Sequence, residues 1–221
     1  MGFSRGPKIV TDGLVLCLDA ANKKSYPGSG TTWYDLSGNG KNGTLENGVG
    51  FDNGNGGSLV FDGVDDTVST TDNILKESEC AVSLWFSRSG NSSSQRLIRR
   101  LGANTNRYYL LVSSSTISGV RGQNDNRVAS FSSSVDEWIN VVWQWRSSDT
   151  LQQIFINGII KYNGTYNSQV SGGDTTFGLA QASGVETWFG GNVATSIVYN
   201  RILSTSEIQQ NYNATKERFG L

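Results

Sequence analysis

The sequence predicts an all-β fold, two antiparallel sheets packed face to face, with one short helix near the C-terminus. Three observations carry that prediction. The 221 residues hold 27 glycines and only 2 prolines, a composition of many turns and short strands. Roughly a dozen short apolar or β-branched runs recur at intervals of about 8–12 residues, the spacing of a sandwich. Helical periodicity with a capping signature occurs once, close to the end.

The elements follow in order. Leu14–Asp19 reads as a mostly buried strand. Ser58–Phe61 and Thr67–Ser69 flank the turn Asp62-Gly-Val-Asp-Asp66. Along Cys80–Ser87, side chains alternate across the pleat, so Cys80, Val82, Leu84 and Phe86 share one face and Ala81, Ser83, Trp85 and Ser87 the other. Arg96–Arg99 and Tyr108–Val112 come next, and Trp138–Trp145 puts Ile139, Val141, Trp143 and Trp145 on one face. Asn157-Gly158, between the runs Gln153–Ile156 and Ile159–Tyr162, marks a type I′ hairpin, because both central residues must take positive φ. Thr175–Leu179, Thr187–Phe189 and Val193–Tyr199 complete the strands. Ser204-Thr-Ser-Glu207 fits a capping box, with Ile208, Tyr212 and Phe219 as a narrow apolar stripe behind it. The expected core is Leu16, Leu18, Val82, Leu84, Phe86, Val141, Trp143 and Ile156. Trp33 and Trp188 stand nearer to loops, where an exposed aromatic can stack on a sugar ring. Residues 1–12 read as an N-terminal arm and 13–221 as a single domain.

Composition excludes several chemistries. With no histidine, there is no Ser-His-Asp or Cys-His pair and no imidazole ligand for zinc. A formal net charge of −1 argues against a globally basic nucleic-acid binder. No apolar run approaches the ~18 residues of a membrane span, and Met1–Lys8 lacks the apolar core of a signal peptide. Cys17 and Cys80 sit in apolar alternating runs and are expected as buried reduced thiols, a single bridge being the alternative. Gly38-Asn-Gly40-Lys-Asn-Gly43 matches a dinucleotide fingerprint by letter only, since no helix can start there. Glycoside hydrolysis needs two carboxylates facing one groove. The acid clusters Asp62/Asp65/Asp66, Glu77/Glu79 and Asp136/Glu137 do not form the alternating triplet of sandwich glucanases, so no catalytic residue is expected.

Two clusters remain as candidate sites. Asp62, Asp65 and Asp66, with the carbonyls of Gly63 and Val64, offer the hard oxygen ligands of a calcium site; the competing reading is a turn held by Asx hydrogen bonds. Charge is also uneven. Asp35–Glu79 carries nine acids against two lysines, whereas Gln95–Phe131 carries Arg96, Arg99, Arg100, Arg107, Arg121 and Arg127 against Asp125 alone. Those six arginines are expected as a basic patch for an anionic partner, either a charged glycan or the acidic stretch of a neighbouring copy.

Several stretches resemble one family in order and spacing. Leu18-Asp-Ala-Ala21, Ser25–Gly40, Asn42–Leu45, Ser58–Asp66, Ser83–Phe86, Trp138–Val142, Ile156–Gly158, Gly190-Gly191 and Val198–Ile208 are similar to laminin-G-like, concanavalin A-like jelly-roll domains. The resemblance implies a lectin-glucanase sandwich from about residue 12 onward. Family members often carry an acid where Ala194 stands here, which weighs against calcium. Glu207–Leu221 and Gly6–Gly13 resemble versions found in tailed-phage virion proteins, of marine and cyanobacterial phages in particular. That implies a non-enzymatic virion surface protein, assembled in the bacterial host cytoplasm: a capsid decoration protein, or alternatively a tail-fibre or receptor-binding lectin for host surface glycans. The expected partners are other virion proteins, further copies of the chain and host glycan, with no nucleic acid and no membrane insertion.

Overall fold

In a computed structural model, residues 8–70, 74–76, 78–90, 94–101, 108–121, 126–132, 134–166, 176–180 and 187–221 are described. Among them the strands run β1 (Leu14–Asp19), β2 (Thr32–Trp33), β3 (Gly43–Glu46), β4 (Gly50–Asp52), β5 (Ser58–Asp62), β6 (Thr67–Ser69), β7 (Glu79–Arg88), β8 (Gln95–Leu101), β9 (Tyr108–Val112), β10 (Thr116–Arg121), β11 (Asn126–Ser130), β12 (Trp138–Arg146), β13 (Leu151–Ile156), β14 (Ile159–Thr165), β15 (Thr176–Leu179), β16 (Thr187–Trp188) and β17 (Gly190–Tyr199). One sheet has the order β14-β13-β12-β7-β17-β5-β4, with β1 beside the far half of β17. The other runs β11-β10-β9-β8-β15-β6-β3-β2, with β16 pairing β8 in parallel. Every other pairing is antiparallel. The all-β two-sheet sandwich with one C-terminal helix is therefore the fold observed.

The alternation read along β7 and β12 sets the core. Cys80, Val82, Leu84, Phe86, Ile139, Val141, Trp143 and Trp145 all join one buried cluster between the sheets. Leu16, Leu18 and Ile156 belong to it too, so every expected core residue is buried. Trp33 is a correction: it is fully buried in this cluster rather than loop-exposed. It lies on β2, a two-residue strand too short for any alternation to show in sequence. Gly119 of β10 explains how Trp143 fits, since a Cβ there would lie 2.4 Å from the indole nitrogen.

The outer face of the first sheet is buried as well. Ser204 caps α1 (Thr205–Thr215) through the full capping box with Glu207. The helix and the short 3-10 turn Lys216–Phe219 lie over Trp85, which stacks on Phe219 at 4.2 Å and on Tyr212 at 5.7 Å. The expected arm is free only in part: from residue 8 onward it is tied down. Val10 donates to Asn211 Oδ1 (2.8 Å) and its carbonyl accepts from Tyr199 Oη (3.0 Å), while Gln210 Nε2 donates to the Lys8 carbonyl (2.7 Å). Cys17 and Cys80 are both free and buried. They lie on opposite faces of the sheet, in separate clusters. Burial, and then the charges of Asp19 and Asp35, pushes the Cys17 thiol up to about 12, so it stays protonated.

Two outcomes test this packing. Phe86→Ala should lower stability by ~3–5 kcal/mol, the cost of deleting a large buried aromatic, read as a shift of the urea midpoint. The second concerns Glu207, whose carboxyl is held down to about 2 by Arg201 (2.5 Å) and by the Ser204 amide. A carboxyl depressed in the folded state adds stability above its ordinary 4.5, which is lost as pH falls through the lowered value. Stability should therefore fall more steeply between pH 4.5 and about 2 in the wild type than in Glu207→Gln, which has no such proton to gain.

Candidate functional site

The Asp62–Asp66 turn closes β5 at one end of the sandwich. Its geometry comes from a close backbone approach: a Cβ on Gly63 would sit 3.4 Å from the Cα of Gly190, the residue paired with Asp62. Asp62 Oδ1 accepts from the amides of Val64 (2.8 Å) and Asp65 (3.4 Å), and Asp66 Oδ2 accepts from the Asp62 amide (2.9 Å). Asn47 Nδ2 donates to the Asp65 carbonyl (2.8 Å). Both readings of the sequence thus meet in one place, an Asx-bonded turn whose three carboxylates each place an oxygen within 4.8 Å of the others.

The electrostatics differ along the turn. The Val64 amide leads the hydrogen bonds that lower the Asp62 carboxyl. Burial raises Asp66, with Asp62 and Asp65 adding repulsion. Asp66 is only 4 % exposed, and its Oδ1 has no hydrogen-bond partner. A buried carboxylate oxygen without a donor costs free energy, and a hard divalent cation removes that cost. The donor set therefore fits calcium, with Asp62, Asp65 and Asp66 as the residues that would hold it. Ala194 does not bear on this. It lies four positions along β17 from Gly190, about 13 Å at strand rise, and packs with Trp85 and Phe219.

The arginine patch is corrected. Arg96 is buried, with its guanidinium 4.5 Å over the Tyr109 ring. Arg121 points between the sheets, where it donates to Tyr108 Oη (3.2 Å) and Ser147 Oγ (2.8 Å) and lies 4.0 Å over the Tyr166 ring. Arg99 is half-buried on β8. Arg100 and Arg127 lie on β8 and β11, with side chains outside the described residues, as is Arg107 altogether. A charge count along the chain cannot say which face of a strand each guanidinium takes. Aromatic rings supply the partners that bring two of them inside.

A cleft of about 220 Å³ opens where the edge strands β11 and β14 approach each other. Its apolar wall is Phe131, Ile139, Ile156 and Ile159, and its polar side is Ser132, Glu137, Asn157 and Lys161. Asn157 is fixed by the hairpin: φ is 51° there and 74° at Gly158, and Asn157 exchanges two hydrogen bonds with the Asn140 backbone (2.8 and 2.9 Å). Sequence reasoning named Asn157 only as a turn residue and Glu137 only as a loop acid. The cleft unites segments about twenty residues apart, 131–139 and 156–161, and no local pattern marks that meeting.

Residues 62–209, more than half of the chain, match the laminin G model of the concanavalin A-like lectin/glucanases superfamily. The protein belongs to that superfamily. No curated protein sequence matches it. Among solved structures it is similar to Domain 4 of AbnA, a GH43 extracellular arabinanase from Geobacillus stearothermophilus, in complex with arabinotriose. That likeness has a TM-score of 0.70 at 16% identity and covers 90% of this chain and 98% of that domain. It is also similar to the binding domain of botulinum neurotoxin serotype D (TM-score 0.72, 15% identity, 92% of this chain, 52% of that one). A third likeness is Trypanosoma rangeli sialidase in complex with sialic acid (TM-score 0.71, 16% identity, 97% and 36%). The chain spans about half of the toxin binding domain and about a third of the sialidase. At these identities the likeness is one of fold, a lectin fold shared with carbohydrate-binding domains.

The acid turn yields a test in two arms. A raised carboxyl binds its proton more tightly in the folded state, so its stabilising contribution is present below the ordinary 3.8 and is lost as pH rises through the raised value. Without metal, Asp66→Asn should therefore gain on wild type as pH rises from about 4 to 7. Millimolar calcium should raise the melting temperature of wild type and leave that of Asp66→Asn unchanged. A wild-type melting curve indifferent to calcium, read by differential scanning calorimetry, would show the turn to be held by its Asx bonds alone.

Proposed function

We propose that this protein is a non-catalytic glycan-binding domain. What supports the reading is the extent of the match: a complete concanavalin A-like sandwich of the same size as Domain 4 of the arabinanase, a domain seen with arabinotriose. Catalysis is disfavoured by the chemistry of the acids. Asp62 is occupied by two backbone amides, and the unpartnered oxygen of Asp66 is buried. Neither stands as a pair flanking an open groove, which glycoside hydrolysis requires.

The resemblance of Glu207–Leu221 and Gly6–Gly13 to phage virion sequences supports placing this domain on the surface of a tailed-phage particle, assembled in the host cytoplasm. There the glycan reading makes it a receptor-binding or tail-fibre lectin. A capsid decoration protein, resting on that resemblance alone, is the second reading. The experiment is a glycan array spanning arabino-oligosaccharides, neutral hexose oligosaccharides and sialylated glycans, followed by incubation of each ligand with the protein and product analysis. Binding without release of product is the expected outcome. Product formation abolished by one carboxylate substitution would make the domain a hydrolase, and binding to no glycan would favour the decoration reading.

A further inference from the structure

We propose that the cleft between β11 and β14 is a subsite for one neutral sugar residue at the end of a chain. This rests on the glycan-binding reading and gives it a location and a ligand class. Size comes first. Small-molecule pockets run from about 300 to 1,000 Å³, and this cleft has about 220 Å³, so it suits a single ring rather than a length of polymer.

Surface chemistry comes second. A sugar ring has an apolar C–H face and an edge of hydroxyls. Phe131 is half-buried against the core, and Ile159, 57 % exposed, stands at the mouth of the cleft. Together they offer the apolar face a platform. The polar side carries both kinds of hydrogen-bonding group. Glu137 Oε2 accepts from the Ser134 amide (2.7 Å), which orients the carboxylate and leaves Oε1 as an acceptor. Asn157 Oδ1 is engaged by the Asn140 amide (2.9 Å), so its Nδ2 is held in place as a donor. Lys161 supplies a second donor at the rim. Vicinal hydroxyls each donate and accept, and they match such a set.

Charge decides the class. Glu137 and Lys161 carry opposite charges on the same rim, so the cleft has no net attraction for an acidic sugar, and Glu137 opposes one directly. Preorganisation comes third. Asn157 sits in a type I′ turn that only Asn, Asp or Gly adopts readily, and Asn140 is itself anchored through Nδ2 to the Leu84 carbonyl (3.1 Å). The donor is therefore in position before any ligand arrives, which lowers the ordering cost of binding.

The test uses three variants of the whole chain on the array described above, with melting curves to confirm folding. Asn157→Asp keeps the turn and an acceptor for the Asn140 amide but replaces the donor. Ile159→Ser removes an exposed part of the platform. Ile160→Ser changes an equally accessible neighbour, 41 % exposed and outside the cleft. With the melting temperature unchanged, the first two should weaken binding of a neutral glycan about tenfold, the scale of one hydrogen bond lost, and the third should bind as wild type. If the wild type binds and all three variants bind equally, the cleft is not the site, while the glycan-binding reading stands. Loss in Ile160→Ser as large as in the others also overturns the assignment. If only sialylated glycans bind through the cleft, the neutral class is wrong. If the wild type binds no glycan, the reading and the subsite fall together.

Discussion

The structure depends on one constraint: β7, β12 and β17 are buried on both faces. Their residues alternate between two apolar environments rather than between core and water, so the sheet needs a cover on each side. The second sheet supplies one. The other is built from both chain ends: α1 and its 3-10 extension, together with residues 8–13, close over Ala81, Trp85, Val142, Phe155, Ile197 and Tyr199.

Polar side chains in this outer layer act as clamps. Tyr199 Oη donates to the Val10 carbonyl and accepts from Asn211 Nδ2 (3.0 Å each), joining strand, N-terminal segment and helix at one point. Gln144 holds both backbone groups of Leu203, accepting its amide at 2.9 Å and donating to its carbonyl at 3.1 Å. Arg218 reaches from the 3-10 turn to Asp19 (2.7 Å) and to the carbonyls of Asn55 and Gly57. Buried polar groups that are paired specify one arrangement where apolar contact alone would tolerate several. The helix is too short to hold itself in water, and these bonds fix where it docks.

The open edge has the opposite character. A sandwich that does not close into a barrel leaves edge strands, which proteins protect against pairing with other chains. Here β14 pairs Ile154 with Tyr162 and then Phe155 with Ile160, so Lys161 is the extra residue of a bulge. The bulge and its charge blunt the edge and also turn Lys161 toward the cleft rim. One local irregularity thereby serves the edge and shapes the only cleft of appreciable volume described in the molecule.

Much of the frame was legible because it rests on short-range rules. Alternation assigned both faces of β7 and β12, Asn157-Gly158 located the hairpin, and Ser204 with Glu207 located the helix start. β2, β3, β4, β10 and β11 escaped notice, since two- to six-residue strands with Gly, Ser and Asn carry little periodic signal. The acid turn was readable because its three carboxylates are neighbours in sequence, although the burial of Asp66 was not. The inward turn of Arg96 and Arg121, the burial of Trp33 and the meeting of Phe131 with Asn157 were decided in three dimensions. Each depends on which sheet face or which distant strand lies opposite. That information belongs to strand order, and no run of neighbouring residues contains it.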